Sequence, residues 1–143
     1  MDADALARAC ADALWADDAT SRALGIQLIS AEPGHAILAL AVTETMVNWH
    51  GTCHGGYIYL LADTAFGYAC HTRNQRMVAQ HCDISYLNPA QHGDRLTAQV
   101  VERHRAARSG IYDVTVKRED GLVIAEFRGT ARTIEGTLVA NAP

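Results

Sequence analysis

Residues 48–70 read NWHGTCHGGYIYLLADTAFGYAC. After the paired Gly55 and Gly56 the run is almost wholly apolar, which predicts a helix from about Gly55 to Thr72 with hardly any wet face. A helix of that kind must be covered on most sides, and about five antiparallel strands curling around it would cover it. Periodicity alone admits other α+β arrangements of the same elements.

The same stretch carries the chemistry. Two glycines opening a helix leave backbone N–H groups at its positive end, a cradle for an anion or for a carbonyl oxygen that develops negative charge. Asp63 is the one charged side chain between Tyr57 and Cys70. A carboxylate inside an apolar helix carries a desolvation cost unless a partner or a task retains it. At about 1.5 Å rise per residue, Asp63 lies roughly 10 to 12 Å along the axis from Gly55. Attack on a carbonyl needs reacting atoms about 3 Å apart while the donors hold the oxygen. One helix cannot do both, so Gly55 and Asp63 must come from different copies of the chain, paired antiparallel across a two-fold axis.

Outward from the helix, Asp4 to Ala16 places Leu6, Ala9, Cys10, Ala13 and Leu14 at helical spacing, an amphipathic N-terminal cap that Gly25 closes. Ile26 to Glu32 and His35 to Thr43 form a hairpin about Pro33-Gly34. Further strand candidates run from Met77 to Leu87, Arg95 to Arg103, Gly110 to Arg118 and Leu122 to Thr133. Tyr112, Val114 and Val116 alternate with Asp113, Thr115 and Lys117, so that strand has one buried and one wet face. A single domain spanning residues 1–143, with 49% hydrophobic residues, suffices for one core.

A net charge of −4 without a basic, aromatic-studded stripe argues against nucleic acid. The acidic start, MDADALARACADALWADD, lacks the basic n-region and apolar core of a signal peptide, and the central apolar run is too short to span a bilayer. Four cysteines in such a chain read as reduced thiols in the cytoplasm.

Asn48, Gly51, His54, Gly55, Gly56 and Asp63, together with Asp83 to Pro89 (DISYLNP), Gly93-Asp94 and the run from Leu122 to Gly129-Thr130, resemble the PaaI-type acyl-CoA thioesterases of the hotdog fold. The resemblance covers nearly the whole chain. It implies hydrolysis of an aromatic acyl-CoA, phenylacetyl-CoA or a ring-hydroxylated analogue, to free acid and CoA in phenylacetate degradation, without metal or cofactor. It implies a polarising N–H at Gly55, a nucleophilic or general-base Asp63 and an orienting Asn48. Around them His54, Gly56 and Tyr57 would contact substrate, and the assembly would be a homodimer with shared sites, further paired as a dimer of dimers. Trp49 stands where the family suggests a smaller residue, and Trp49, Tyr57, Tyr59 and Phe66 are candidates for an aromatic acyl pocket.

Plainer readings compete. The glycines can serve close packing, Asp63 can bond Thr64 or a backbone N–H, Asn48 can bond its own turn, and His54 can cap the helix and hold the glycine amides. His50, Cys53 and His54, Cys70-His71 and His81-Cys82 lack the paired spacing of a zinc site, and Cys53 beside His54 is a weak nucleophile candidate. Arg103, His104, Arg105 and Arg108 form either a solvated tip or, through Arg103 and Arg108, a grip on the CoA phosphates. A medium-chain aliphatic thioesterase and a non-catalytic acyl-CoA-binding module keep the same fold. A hotdog dehydratase would need a Pro-rich sequel to its histidine, which His54-Gly55-Gly56 lacks.

Overall fold

The computed structural model describes residues 1–140. Helix α1 (Ala3–Ala16) starts where the Asp2 carboxylate accepts the Ala5 N–H at 2.8 Å, and α2 (Ala19–Leu24) is capped by Asp18. Gly25, at φ 74°, ends α2 in the left-handed region that glycine enters without strain. Strands β1 (Gln27–Glu32) and β2 (His35–Ala41) follow, then the long helix α3 (Gly55–Cys70). The chain continues through β3 (Met77–Tyr86), β4 (Arg95–Arg105), β5 (Ser109–Arg118) and β6 (Val123–Thr133).

All six strands form one antiparallel sheet in the order β1-β2-β4-β5-β6-β3. This is the expected hotdog arrangement, and all six strand candidates of the sequence join it, one more than the about five expected to wrap the helix. Helix α3 ends at Cys70, two residues before the expected Thr72. There the Thr72 hydroxyl turns back to the Ala69 carbonyl at 2.8 Å and accepts the Gly34 N–H at 2.8 Å, tying the end of the helix to the first hairpin.

The sheet buries one side of α3. Leu61, Ala62, Ala65 and Phe66 pack on Leu38, Leu96, Val114 and Phe127, all at most 2% exposed. Burial of each such Leu or Phe side chain contributes about 1.5–3 kcal/mol. Gly129 makes room for this contact, since a Cβ there would stand 2.8 Å from the Phe66 ring. Tyr112, Val114 and Val116 point into this core and Lys117 to water, as their alternation requires.

The sheet leaves a stripe of α3 uncovered. Gly56, Tyr57, Leu60, Asp63, Thr64 and Gly67 are half-buried or exposed. At the end of the sheet, β3 presents a ten-residue free edge on which Val78 and Tyr86 stand exposed. A long edge of this kind invites pairing with another chain.

Candidate active site

The loop that enters α3 is held by its own residues. The Asn48 side-chain carbonyl accepts the N–H groups of His50 at 3.0 Å and Thr52 at 3.2 Å, while the Asn48 N–H donates to the Thr52 carbonyl at 2.8 Å. Gly51 turns the tip at φ 85°. The Asn48 oxygen is therefore spent on the turn, the plainer of its two readings, and only its amide nitrogen is free to meet a substrate. Trp49 at the tip is 87% exposed and stacks on His50, so it does not narrow the cleft of its own protomer.

His54 is the N-cap of α3. Its Nδ1 accepts the Gly56 N–H at 2.8 Å, and its carbonyl accepts the Tyr57 N–H at 3.0 Å. Of the two bare glycine amides expected from the sequence, one is consumed. Among the described residues the Gly55 N–H has no partner and stays available at the positive end of the helix.

Tyr86 of β3 was not singled out by the sequence. Its hydroxyl donates to the Gly55 carbonyl at 3.0 Å, and a Cβ at position 55 would come within 3.1 Å of its ring. Glycine is thus the residue that lets strand and helix meet. The two elements enclose a cleft of about 320 Å³ lined by Gly55, Ile58, Tyr86, Leu87, Asn88 and Pro89. Tyr57 is half-buried, stands edge-on to His54 and does not line this cleft.

Asp63 is half-buried and makes no hydrogen bond or ion pair with any described residue, so the bond to Thr64 or to a backbone N–H is not formed. Desolvation raises its carboxyl above the ordinary 3.8. Its charge is felt by Tyr59 and Cys82, both raised chiefly by burial, the Tyr59 phenol to about 12. Burial pushes the Cys53 thiol up to about 11, opposite to what a nucleophile requires.

Within one protomer Gly55 and Asp63 remain apart on the same helix. Arg103 and Arg108 are also distant from Gly55. The register Gly110↔Ala131↔Ala79 puts the β4–β5 tip at the C-terminal end of α3, whereas Gly55 meets Tyr86 at the other end. Arg103 is paired with Asp113 at 2.8 Å, which it shares with Arg128. The expected aromatic lining is dispersed as well, for Phe66 is core and Tyr59 packs on Phe127. No three His, Cys, Asp or Glu side chains converge among the described residues.

A family model described as "Thioesterase superfamily" matches residues 50–125, the span that holds Gly55, Asp63 and Tyr86. The chain belongs to the thioesterase superfamily. The acyl-coenzyme A thioesterase PaaI of Escherichia coli (strain K12) is 41% identical to it over 132 residues, 92% of this chain and 94% of that protein. The solved structure of the E. coli PaaI protein from the phenylacetic acid degradation operon superposes with a TM-score of 0.94 at 40% identity, covering 95% of this chain and 99% of that one. A Streptococcus mutans protein solved bound to acetyl CoA matches with a TM-score of 0.76 at 27% identity over 78% of this chain and 90% of its own. The resemblance drawn from the glycine–aspartate motif thus extends through the thioesterase fold to both ends of the described sheet.

Proposed function

We propose that the chain hydrolyses the thioester of aromatic acyl-CoA, phenylacetyl-CoA or its ring-hydroxylated analogues, to a free acid and CoA, in the degradation of aromatic compounds. The observation that carries this reading is an amide N–H at Gly55, unpartnered among the described residues, at the head of a helix whose Asp63 carboxylate is likewise unpartnered among them. The PaaI identity of the E. coli relative supports the aromatic acyl class.

Because the two groups lie about 12 Å apart on one helix, the working site joins Gly55 of one protomer to Asp63 of the partner subunit. Pairing of the free β3 edges in a two-fold dimer would bring the uncovered stripes of the two α3 helices together. In that site the Gly55 N–H holds the thioester oxygen as it gains charge. Asp63 either takes a proton from water, which adds to the carbonyl carbon, or adds to it directly to give an anhydride that water then opens. The C–S bond breaks and CoA leaves as thiolate, which then takes up a proton. The free Asn48 amide nitrogen can orient the water or the thioester, with His54, Gly56 and Tyr57 framing the carbonyl.

In an antiparallel pair the partner's β4–β5 tip turns back toward the first protomer's loop at Asn48. Arg108 and Arg103 of that tip would then reach the CoA phosphates. Two such dimers would make the tetramer that the resemblance implies. Four free cysteines, three of them buried, fit a reducing cytoplasm.

A thiol-release assay over a panel of aromatic and medium-chain aliphatic acyl-CoA esters tests the reading. Highest kcat/KM on phenylacetyl or hydroxyphenylacetyl esters is expected. A clear preference for aliphatic esters would replace the substrate class, and tight binding without turnover would make the chain an acyl-CoA-binding module.

A further inference from the structure

His54 leaves the head of α3 one donor short. Its Nδ1 holds the Gly56 N–H and its carbonyl the Tyr57 N–H, so among the first three amides of the helix only that of Gly55 is open. The oxygen of a thioester that has taken up a nucleophile carries a full charge and several lone pairs, and one amide meets only part of it. A second donor has to stand beside Gly55.

Tyr86 stands there. Its ring Cζ lies 3.1 Å and its hydroxyl oxygen 3.3 Å from the point that a Cβ of residue 55 would occupy, so the phenol sits against the Cα whose own N–H is free. Both residues line the same cleft. The ring is held from behind, since Tyr86 pairs with Ala125 in the β3–β6 ladder, and just beyond it the Leu87 N–H donates to the Ile124 carbonyl at 2.8 Å and the Asn88 side-chain nitrogen to the Val123 carbonyl at 2.8 Å. Close packing on Gly55 explains the ring but not the hydroxyl, which a phenylalanine would lack at no cost to the contact.

That hydroxyl is free to change partner. It donates to the Gly55 carbonyl at 3.0 Å, but Gly55 opens α3, so its carbonyl also meets the N–H four residues on and is not orphaned when the phenol turns away. Rotation about the phenol C–O bond redirects the hydrogen while the ring stays in place. Burial raises the phenol above its ordinary 10, so it carries its proton at neutral pH.

We propose that Tyr86 is a second oxyanion donor: as the thioester oxygen settles on the Gly55 N–H and gains charge, the Tyr86 hydroxyl turns from the Gly55 carbonyl to that oxygen, with no proton transferred. The inference rests on the thioesterase function proposed above and adds a side chain to a cradle otherwise made of backbone. Tyr86→Phe tests it, because the ring and its packing remain and only the donor goes. On phenylacetyl-CoA its kcat should fall by at least ~10-fold, toward the ~10²- to 10³-fold that loss of an oxyanion donor costs, with KM little changed. A second readout needs no turnover. The ketone analogue of phenylacetyl-CoA, with a methylene in place of the thioester sulfur, cannot be hydrolysed, and its C=O stretch reports the donors on its oxygen. That stretch should lie lower when bound to wild type than when bound to Tyr86→Phe. An unchanged kcat overturns the inference, and so does a fall in kcat with the stretch unaltered, which would make Tyr86 a positioning residue acting only through Gly55. A wild type that hydrolyses no thioester fails the proposed function instead, while the stretch of the bound ketone still decides whether Tyr86 reaches the carbonyl.

Discussion

The Nδ1 of His54 accepts the N–H of Gly56 at 2.8 Å, and this one bond decides which amide at the head of α3 faces the cleft. With Gly56 and Tyr57 satisfied, Gly55 alone presents a free donor, fixed by the cap on one side and by Tyr86 on the other. His54→Ala removes the cap and should lower stability by about 0.5–2 kcal/mol. It should also lower kcat more than it raises KM, because the donor is loosened but not deleted. His54→Asn restores an N-cap acceptor and should recover most of both losses in melts and steady-state kinetics.

Asp63 is expected to trade stability for chemistry. Burial raises its carboxyl, so the folded chain binds that proton more readily than the unfolded chain. The stabilising contribution is then fully present below the unfolded value and is lost as pH rises through the folded one. At neutral pH the charged side chain weakens the fold. Asp63→Asn should therefore raise Tm while lowering kcat by at least ~10²-fold. The wild-type acid limb of kcat/KM should lie above the ordinary carboxylate range. A folded Asp63→Asn protein with near-normal turnover would remove Asp63 from the mechanism.

His71 gives the opposite sign. Its Nδ1–H donates to the Gly67 carbonyl at 2.6 Å and its Nε2 accepts the Met77 N–H at 3.1 Å, so the ring joins α3 to β3 only while neutral. Burial holds its pKa below 6.5. Its contribution is present above that value and is lost as pH falls through it toward the lower folded pKa. Thermal melts should show wild-type Tm falling as pH drops below 6.5, and falling less in His71→Asn. Parallel curves would assign the acid sensitivity elsewhere.

The helix and its glycine–aspartate motif were legible because they are local: apolar residues in an unbroken run, two glycines, one charge. The strands were legible from β-branched alternation, as at Tyr112, Val114 and Val116. What the sequence hid depends on distant contacts. Nothing near Tyr86 announces that its hydroxyl reaches Gly55, 31 residues away. Asn48 and Gly56 show the converse: a turn and a cap absorbed groups that spacing alone had left free for substrate.

The arginines should differ in weight. Arg103 shares Asp113 with Arg128, whereas Arg108 forms no ion pair among the described residues. Arg108→Ala should raise KM for a CoA ester severalfold and leave a pantetheine ester unaffected, because only the former carries the phosphates. Arg103→Ala should do less, since Arg128 still holds Asp113. Equal losses on both esters would assign these residues to folding.

Two inactive chains should rescue each other if each site is shared. Gly55→Val places side-chain carbon against the Tyr86 ring, where even a Cβ would stand 3.1 Å away, and blocks the donor site, while Asp63→Asn removes the carboxylate. Mixing the two under conditions that exchange subunits yields heterodimers with one intact and one doubly damaged site. With random pairing, thiol release should return to roughly a quarter of wild-type activity. If exchange is verified, Gly55→Val is shown to fold and dimerise, and no activity returns, then Gly55 and Asp63 do not meet across a dimer and the shared site is contradicted.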